Sequence, residues 1–194
     1  MLTLDDGYNL IRLARNSIES YLTNNGFRLD DDIKKRYGEK RGVFVTLNKV
    51  RELRGCIGYP LPIKPLYEAV VDAARNAIRD PRFEPVRIGE MDNITIELSI
   101  LTEPEIIKVK DLKDYPKMIK IGRDGLLIYW RYGSGLLLPQ VAIEYRWDEE
   151  RFLCETCIKA GALPDCWLYD DTKIYKFQAI IFEERSPRGE VILH

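Results

Sequence analysis

The chain has 194 residues, 45% hydrophobic and 31% charged, with 30 Lys and Arg against 31 Asp and Glu. That length suits one sizeable domain with at most a smaller lobe, and the near-zero charge excludes a disordered, collagen-like or globally basic chain. The single histidine is His194, the last residue; chain ends are poorly ordered as a rule, which argues against Ser-His-Asp and Cys-His hydrolases, HExxH proteases and two-histidine iron sites.

The chain opens with Asp5 and Asp6 where a secretory leader needs positive charge and then an apolar run, so a cytoplasmic protein is expected. Leu10, Leu13, Ala14, Ser17, Ile18 and Tyr21 recur at helical spacing and predict a helix over 3–23. Thr3 and Asp6 start it, and Asn24, Asn25 and Gly26 end it. Val43, Val45 and Leu47 alternate with Phe44 and Thr46, and a second extended stretch runs over 53–59, a hairpin. Within it, Leu53-Arg54-Gly55-Cys56-Ile57-Gly58 places Arg54, Cys56 and Gly58 on one face and Gly55 and Ile57 on the other. A guanidinium beside a thiol favours thiolate, and glycines let a ligand approach the backbone. The plainer alternative is a small buried cysteine with glycines marking a bulge.

Eight basic residues lie between Lys34 and Arg54, against Glu39 and Glu52, and Arg75, Arg79 and Arg82 follow. If the two regions pack together, Cys56 opens into a basic groove suited to phosphate, carboxylate or RNA; otherwise they are a solvated face of ion pairs. A small-residue stripe from Leu66 to Ile78 predicts a second helix, stopped by Asp80-Pro81. Ile94, Ile96, Leu98 and Ile100 alternate with Thr95, Glu97 and Ser99 as a half-buried strand.

The segment 118–130 reads as two strands joined by a turn at Gly122-Arg123-Asp124-Gly125, with a second turn at Gly133-Ser134-Gly135. The stretch 136–141 resumes as strand or loop, and Gln140 and Glu144 beside it suit either a satisfied buried network or a ligand contact. A helix over 148–160 is closed by Gly161. It carries Cys154-x-x-Cys157, with Cys166 nine residues on. Free thiols in ordinary packing are expected here, since a closed metal site needs a fourth ligand; a redox pair is the alternative. The last strand covers 174–184. No run approaches the roughly 18 apolar residues of a membrane span. The class is α+β, an antiparallel sheet packed with helices.

Taken together, GVFVTLNK at 42–49, LRGCIGYP at 53–60, DPRFEPV at 80–86, IGRDGLLI at 121–128, GLLLPQVAIEYRWD at 135–148 and FLCETCIKAG at 152–161 resemble the AMMECR domain family. The resemblance implies one domain over 1–194 with a larger and a smaller lobe, and a cleft lined by the LRGCIG segment. By motif position Arg54, Gly55, Cys56 and Gly58 line that site, with Arg82 from the basic region and Gln140 and Cys157 as weaker members. Cys154 departs from the family pattern. Family association implies Memo-like or radical-SAM proteins as partners in a modification pathway; no cofactor or metal is expected. Three readings follow: a cleft that binds an anionic ligand, RNA or a partner; a thiol-dependent enzyme with Cys56 as nucleophile; and a non-catalytic interaction scaffold.

Overall fold

The computed structural model describes residues 2–194. The chain divides into two compact units, one ending at Leu101 and completed by Ile180–His194, the other Thr102–Ala179. Among the described residues no helix is long and apolar enough to cross a membrane.

In the first unit, helix α1 (Leu4–Leu22) is started by a capping box. The Asp6 N–H donates to Thr3 Oγ1 and the Thr3 N–H to Asp6 Oδ2 at 2.7 Å. Asp6 also accepts from Tyr37 Oη and Arg36 Nε, which anchors a short helix the sequence did not announce, α2 (Asp31–Arg36). Strands β1 (Val43–Lys49) and β2 (Glu52–Tyr59) form the expected hairpin. Its turn is Val50-Arg51, both left-handed at φ 52° and 68°, a conformation that strains a β-branched residue.

Helix α3 (Leu66–Ala77) follows, then strand β3 (Ile94–Leu101) after a 3₁₀ turn at Ile88–Asn93. Strands β8 (Ala179–Glu184) and β9 (Val191–Leu193) complete a five-stranded sheet ordered β2-β1-β3-β8-β9. Val43, Val45 and Leu47 of β1 and Ile94, Ile96, Leu98 and Ile100 of β3 point into one core with α1 and α3. Period-2 alternation puts Phe44, Thr46, Cys56, Gly58, Glu97 and Ser99 on the opposite face.

The second unit holds a four-stranded sheet ordered β4-β7-β5-β6. Its strands are β4 (Glu105–Ile106), β5 (Gly125–Trp130), β6 (Gly133–Leu137) and β7 (Lys173–Phe177). Four expectations are corrected here. No strand forms over 118–121, because Asp124 folds the chain back by accepting the Lys120 N–H and pairing with Arg123. The hairpin turn is Arg131-Tyr132 and not Gly133–Gly135, since Trp130 pairs with Gly133. Gly133 and Gly135 are strand residues pressed on a helix: a Cβ on Gly135 would lie 2.4 Å from the Ala160 nitrogen.

The stretch after β6 is a helix, α4 (Pro139–Glu144), with proline in its first turn. The predicted last strand is two, β7 and β8, in different sheets. The break is at Gln178, whose N–H donates to Thr102 Oγ1 while its carbonyl accepts the Thr102 N–H, both at 2.8 Å. Helix α5 (Glu149–Lys159) is capped by Asp148 and, as expected, followed by left-handed Gly161.

Candidate functional site

Strand β2 is an edge strand, so its outward backbone groups need partners other than a neighbouring strand. Asp80 and Arg82, just past α3, supply them. The Cys56 N–H donates to Asp80 Oδ2 at 2.9 Å, and Arg82 Nη2 reaches the Cys56 carbonyl at 3.5 Å. The Arg82 N–H and Nε donate to Asp80 Oδ1, each at 3.0 Å, and Nη2 donates to Oδ2 at 2.7 Å. The DPR and LRGCIG stretches are thus one hydrogen-bonded unit. Asp80 is buried, and the Arg82 guanidinium against it holds its carboxyl far below the usual range despite the cost of burial.

Arg54 does not face Cys56 as a free cation. Its Nε and Nη2 grip the two Glu90 oxygens at 3.1 and 3.2 Å, and Lys49 adds a third donor at 2.9 Å. Arg54 chiefly, with the Arg87 N–H and Lys49, lowers the Glu90 carboxyl to about 2. Burial pushes the Cys56 thiol up, with Glu97 and Asp80 acting the same way; the Thr46 hydroxyl, 3.3 Å from Sγ, and Arg82 oppose this without reversing it. Arg54 is thus turned to Glu90 and is not among the groups that lower the Cys56 thiol, which favours the plainer alternative of a small, largely buried cysteine.

Most of the basic residues between Lys34 and Arg54 are ion-paired. Lys34 meets Asp31, Arg36 meets Asp5 and Asp6, Arg41 meets Glu39, and Lys49 and Arg54 share Glu90. Five of the eight basic residues in this stretch are thus held by carboxylates of the same unit.

The glycines are set by packing. A Cβ on Gly55 would fall 2.2 Å from the Ala77 carbonyl oxygen, and one on Gly58 2.3 Å from the Val43 oxygen and 2.6 Å from Phe44 Cα. Gly55 faces α3, away from Cys56 and Gly58. Gln140 and Cys157 belong to the second unit. Gln140 Oε1 is buried without a hydrogen-bond partner among the described residues, so the satisfied-network alternative does not hold for that atom. Cys157 is fully buried and disulfide-bonded to Cys166, so the expectation of four free thiols is corrected to two, Cys56 and Cys154. Placing Cys157 and Cys166 with Cα atoms 5.8 Å apart makes that bond feasible. Among the described residues no group of three or more His, Cys, Asp or Glu could hold a metal ion.

Asp80 and Glu90 are the residues the sequence left without a role. Asp80 is recognisable only as a helix stop, and Glu90 lies 36 residues from Arg54. Both carboxyls, and Asp6 at about 2, titrate below their unfolded values. Such groups stabilise the fold above the unfolded pKa of about 4, and that stability is lost as pH falls through the folded values. Urea denaturation is therefore expected to show stability falling between about pH 4 and 2, and Asp80→Asn is expected to flatten the slope and to cost about 1–3 kcal/mol at pH 7. An unchanged slope would remove Asp80 from this account.

A model of the AMMECR1 family matches residues 11–182. Protein PYRAB00100 of Pyrococcus abyssi is 55% identical over 192 residues, covering 95% of this chain and 93% of its own. Protein MJ0810 of Methanocaldococcus jannaschii is 52% identical, covering 99% of this chain and 96% of its own. The crystal structure of the uncharacterized protein PH0010 from Pyrococcus horikoshii has a TM-score of 0.91 at 51% identity, covering 97% of this chain and 96% of that one. With the family pattern matched through both units and half of all positions shared with full-length relatives, the chain belongs to the AMMECR1 family.

Proposed function

We propose that the protein is a non-catalytic binding module whose surface around Arg54, Cys56, Gly58 and Arg82 receives a carboxylate or phosphate group. The observation that supports this is the posture of Arg82. Asp80 takes its Nε and Nη2 edge, while Nη1 has no hydrogen-bond partner among the described residues and the side chain is 56% exposed. A guanidinium held edge-on by a buried carboxylate is fixed in direction and keeps its other edge for an anion. The reading rests on the first unit alone. In the setting the family resemblance implies, the anion is presented by a Memo-like or radical-SAM partner in the cytoplasm, the chain acts as one two-lobed domain, and no cofactor takes part.

A thiol-dependent enzyme is the second reading. Burial pushes the Cys56 thiol up, which disfavours the thiolate that a nucleophile needs. The test is an NMR titration of the whole chain with inorganic phosphate and, separately, a single-stranded RNA oligonucleotide. Arg82→Ala is expected to weaken phosphate binding by about tenfold or more, roughly 1.4 kcal/mol, while Cys56→Ser stays within about twofold. No phosphate binding at all would leave the interaction scaffold, and RNA binding indifferent to Arg82→Ala would move the nucleic-acid contact elsewhere. In parallel, iodoacetamide is expected to alkylate Cys56 more slowly than Cys154. Fast alkylation of Cys56 with a pKa below about 8.5 would restore the enzyme reading.

A further inference from the structure

We infer that Cys154, Cys157 and Cys166 form a thiol–disulfide exchange centre, in which Cys154 is the port between the buried Cys157–Cys166 bond and an external low-molecular-weight thiol or its disulfide. Cys157 on α5 and Cys166 in the following 3₁₀ turn are both fully buried, so no external thiolate can reach their sulfurs directly. Cys154 is a free, half-buried thiol packed against the same apolar cluster that contains Cys157 and Cys166.

Cys154 precedes Cys157 by three residues on α5, which puts them on one face with Cα atoms about 5 Å apart by helix geometry. The Cα separation lies in the range disulfides adopt, as does the 5.8 Å between Cys157 and Cys166, while the roughly 5–6 Å between Cβ atoms three apart on a helix exceeds the roughly 3.5–4.5 Å of a disulfide, so a Cys154–Cys157 bond forms with a tightening of that helical turn. Cys157 is therefore the shared sulfur: it can bond to a buried partner on one side or to the half-exposed one on the other.

For reduction the electrons run as follows. The Cys154 thiolate attacks Cys157 Sγ, a Cys154–Cys157 bond forms, the Cys157–Cys166 bond breaks, and Cys166 leaves as thiolate and takes up the proton that Cys154 gave up. An external thiolate RS⁻ then attacks Cys154 Sγ, releasing Cys157, which is protonated, and leaving a Cys154–S–S–R mixed disulfide. A second RS⁻ attacks the R sulfur and regenerates Cys154. The sum is one protein disulfide and two RSH converted to two protein thiols and RSSR. Oxidation by RSSR is the same sequence reversed.

The test uses the folded full chain with glutathione at neutral pH, acid quench, alkylation and peptide mass spectrometry. Reduction of Cys157–Cys166 in the unsubstituted protein is expected to be about tenfold or more faster than in Cys154→Ser and Cys154→Ala. In Cys166→Ser, oxidised glutathione is expected to yield a Cys154–Cys157 disulfide. Thermal melts of both Cys154 variants confirm that they are folded. Equal reduction rates with and without Cys154 would mean that the pair is reached by opening of the fold, and would overturn the inference. So would glutathione attached to Cys157 or Cys166 in place of Cys154, or failure of oxidised glutathione to form the Cys157–Cys166 bond. Cys56→Ser, in the other unit, is expected to change none of these rates.

Discussion

Replacing Arg15 by methionine is expected to cost about 3–5 kcal/mol of stability, the largest effect of any single change considered for this chain. Arg15 sits on the buried side of α1, and its side chain and that of Glu184 on β8 are 6% and 3% exposed. Its Nε donates to Glu184 Oε1 at 3.0 Å and its Nη2 to Oε2, while Nη1 and Nη2 also donate to the carbonyls of Met91 and Ile94. Glu184 Oε2 in turn accepts the Ile96 N–H at 2.9 Å. One guanidinium therefore joins α1, the turn before β3, β3 itself and β8.

Methionine fills similar volume but leaves the Glu184 carboxylate buried with only the Ile96 donor, and leaves two carbonyls unpaired. The loss is a charge left without its counter-ion, so the double variant Arg15→Met, Glu184→Met is expected to recover most of it, because paired apolar side chains avoid the desolvation of both ions. Urea denaturation at neutral pH measures both. A loss under about 1 kcal/mol for Arg15→Met, the range of an exposed pair, would mean that water reaches this pair and that it does not clamp the sheet.

Gly55→Ala is expected to cost about 3 kcal/mol, toward the upper end for overpacking. The new Cβ would lie 2.2 Å from the Ala77 carbonyl oxygen and 3.2 Å from its carbon. That oxygen belongs to the backbone at the end of α3 and cannot swing aside, so the helix end must retreat. Asp80 follows three residues later and caps the Cys56 N–H, so the retreat also strains the clamp on the edge strand. Gly26→Ala is the control: nothing lies within 4 Å of its Cβ position, and a change of about 0.4–1 kcal/mol or less in the stabilising direction is expected. Equal thermal shifts for the two variants would contradict this packing account. The expected cost also bears on function, since it makes the first glycine of LRGCIG a requirement of helix-on-strand contact and leaves ligand binding to Arg82 and its surroundings.

Much of the secondary structure is legible because its signals are local. The capping box of Thr3 and Asp6, the Asp148 cap, the left-handed Gly161 and the strict alternation of Ile94 to Ile100 each lie within a turn or a few strand residues. Six-residue helices such as α2 and α4 carry too few periods to stand out, and α2 depends on Asp6, some thirty residues earlier, for its anchor. The glycines at 133 and 135 mislead because a turn and a close helix contact ask for the same missing Cβ.

The candidate site divides along the same line. That Cys56 and Gly58 share a face follows from the period of a strand, whereas a register shift between Leu47 and Asn48 leaves Arg54 out of the pairing and interrupts that alternation; that the chain is α+β follows from its alternating patterns. What those side chains meet is decided by topology. Glu90 neutralises Arg54, Asp80 caps Cys56, and Glu184, 169 residues from Arg15, balances a buried charge. The bond from Cys157 to Cys166, only nine residues apart, likewise depends on how α5 and its neighbouring turn pack. The sequence specifies backbone periodicity and caps through interactions over a few residues, whereas charge pairing, burial and thiol state depend on distances that exist only once the sheets and helices have closed around them.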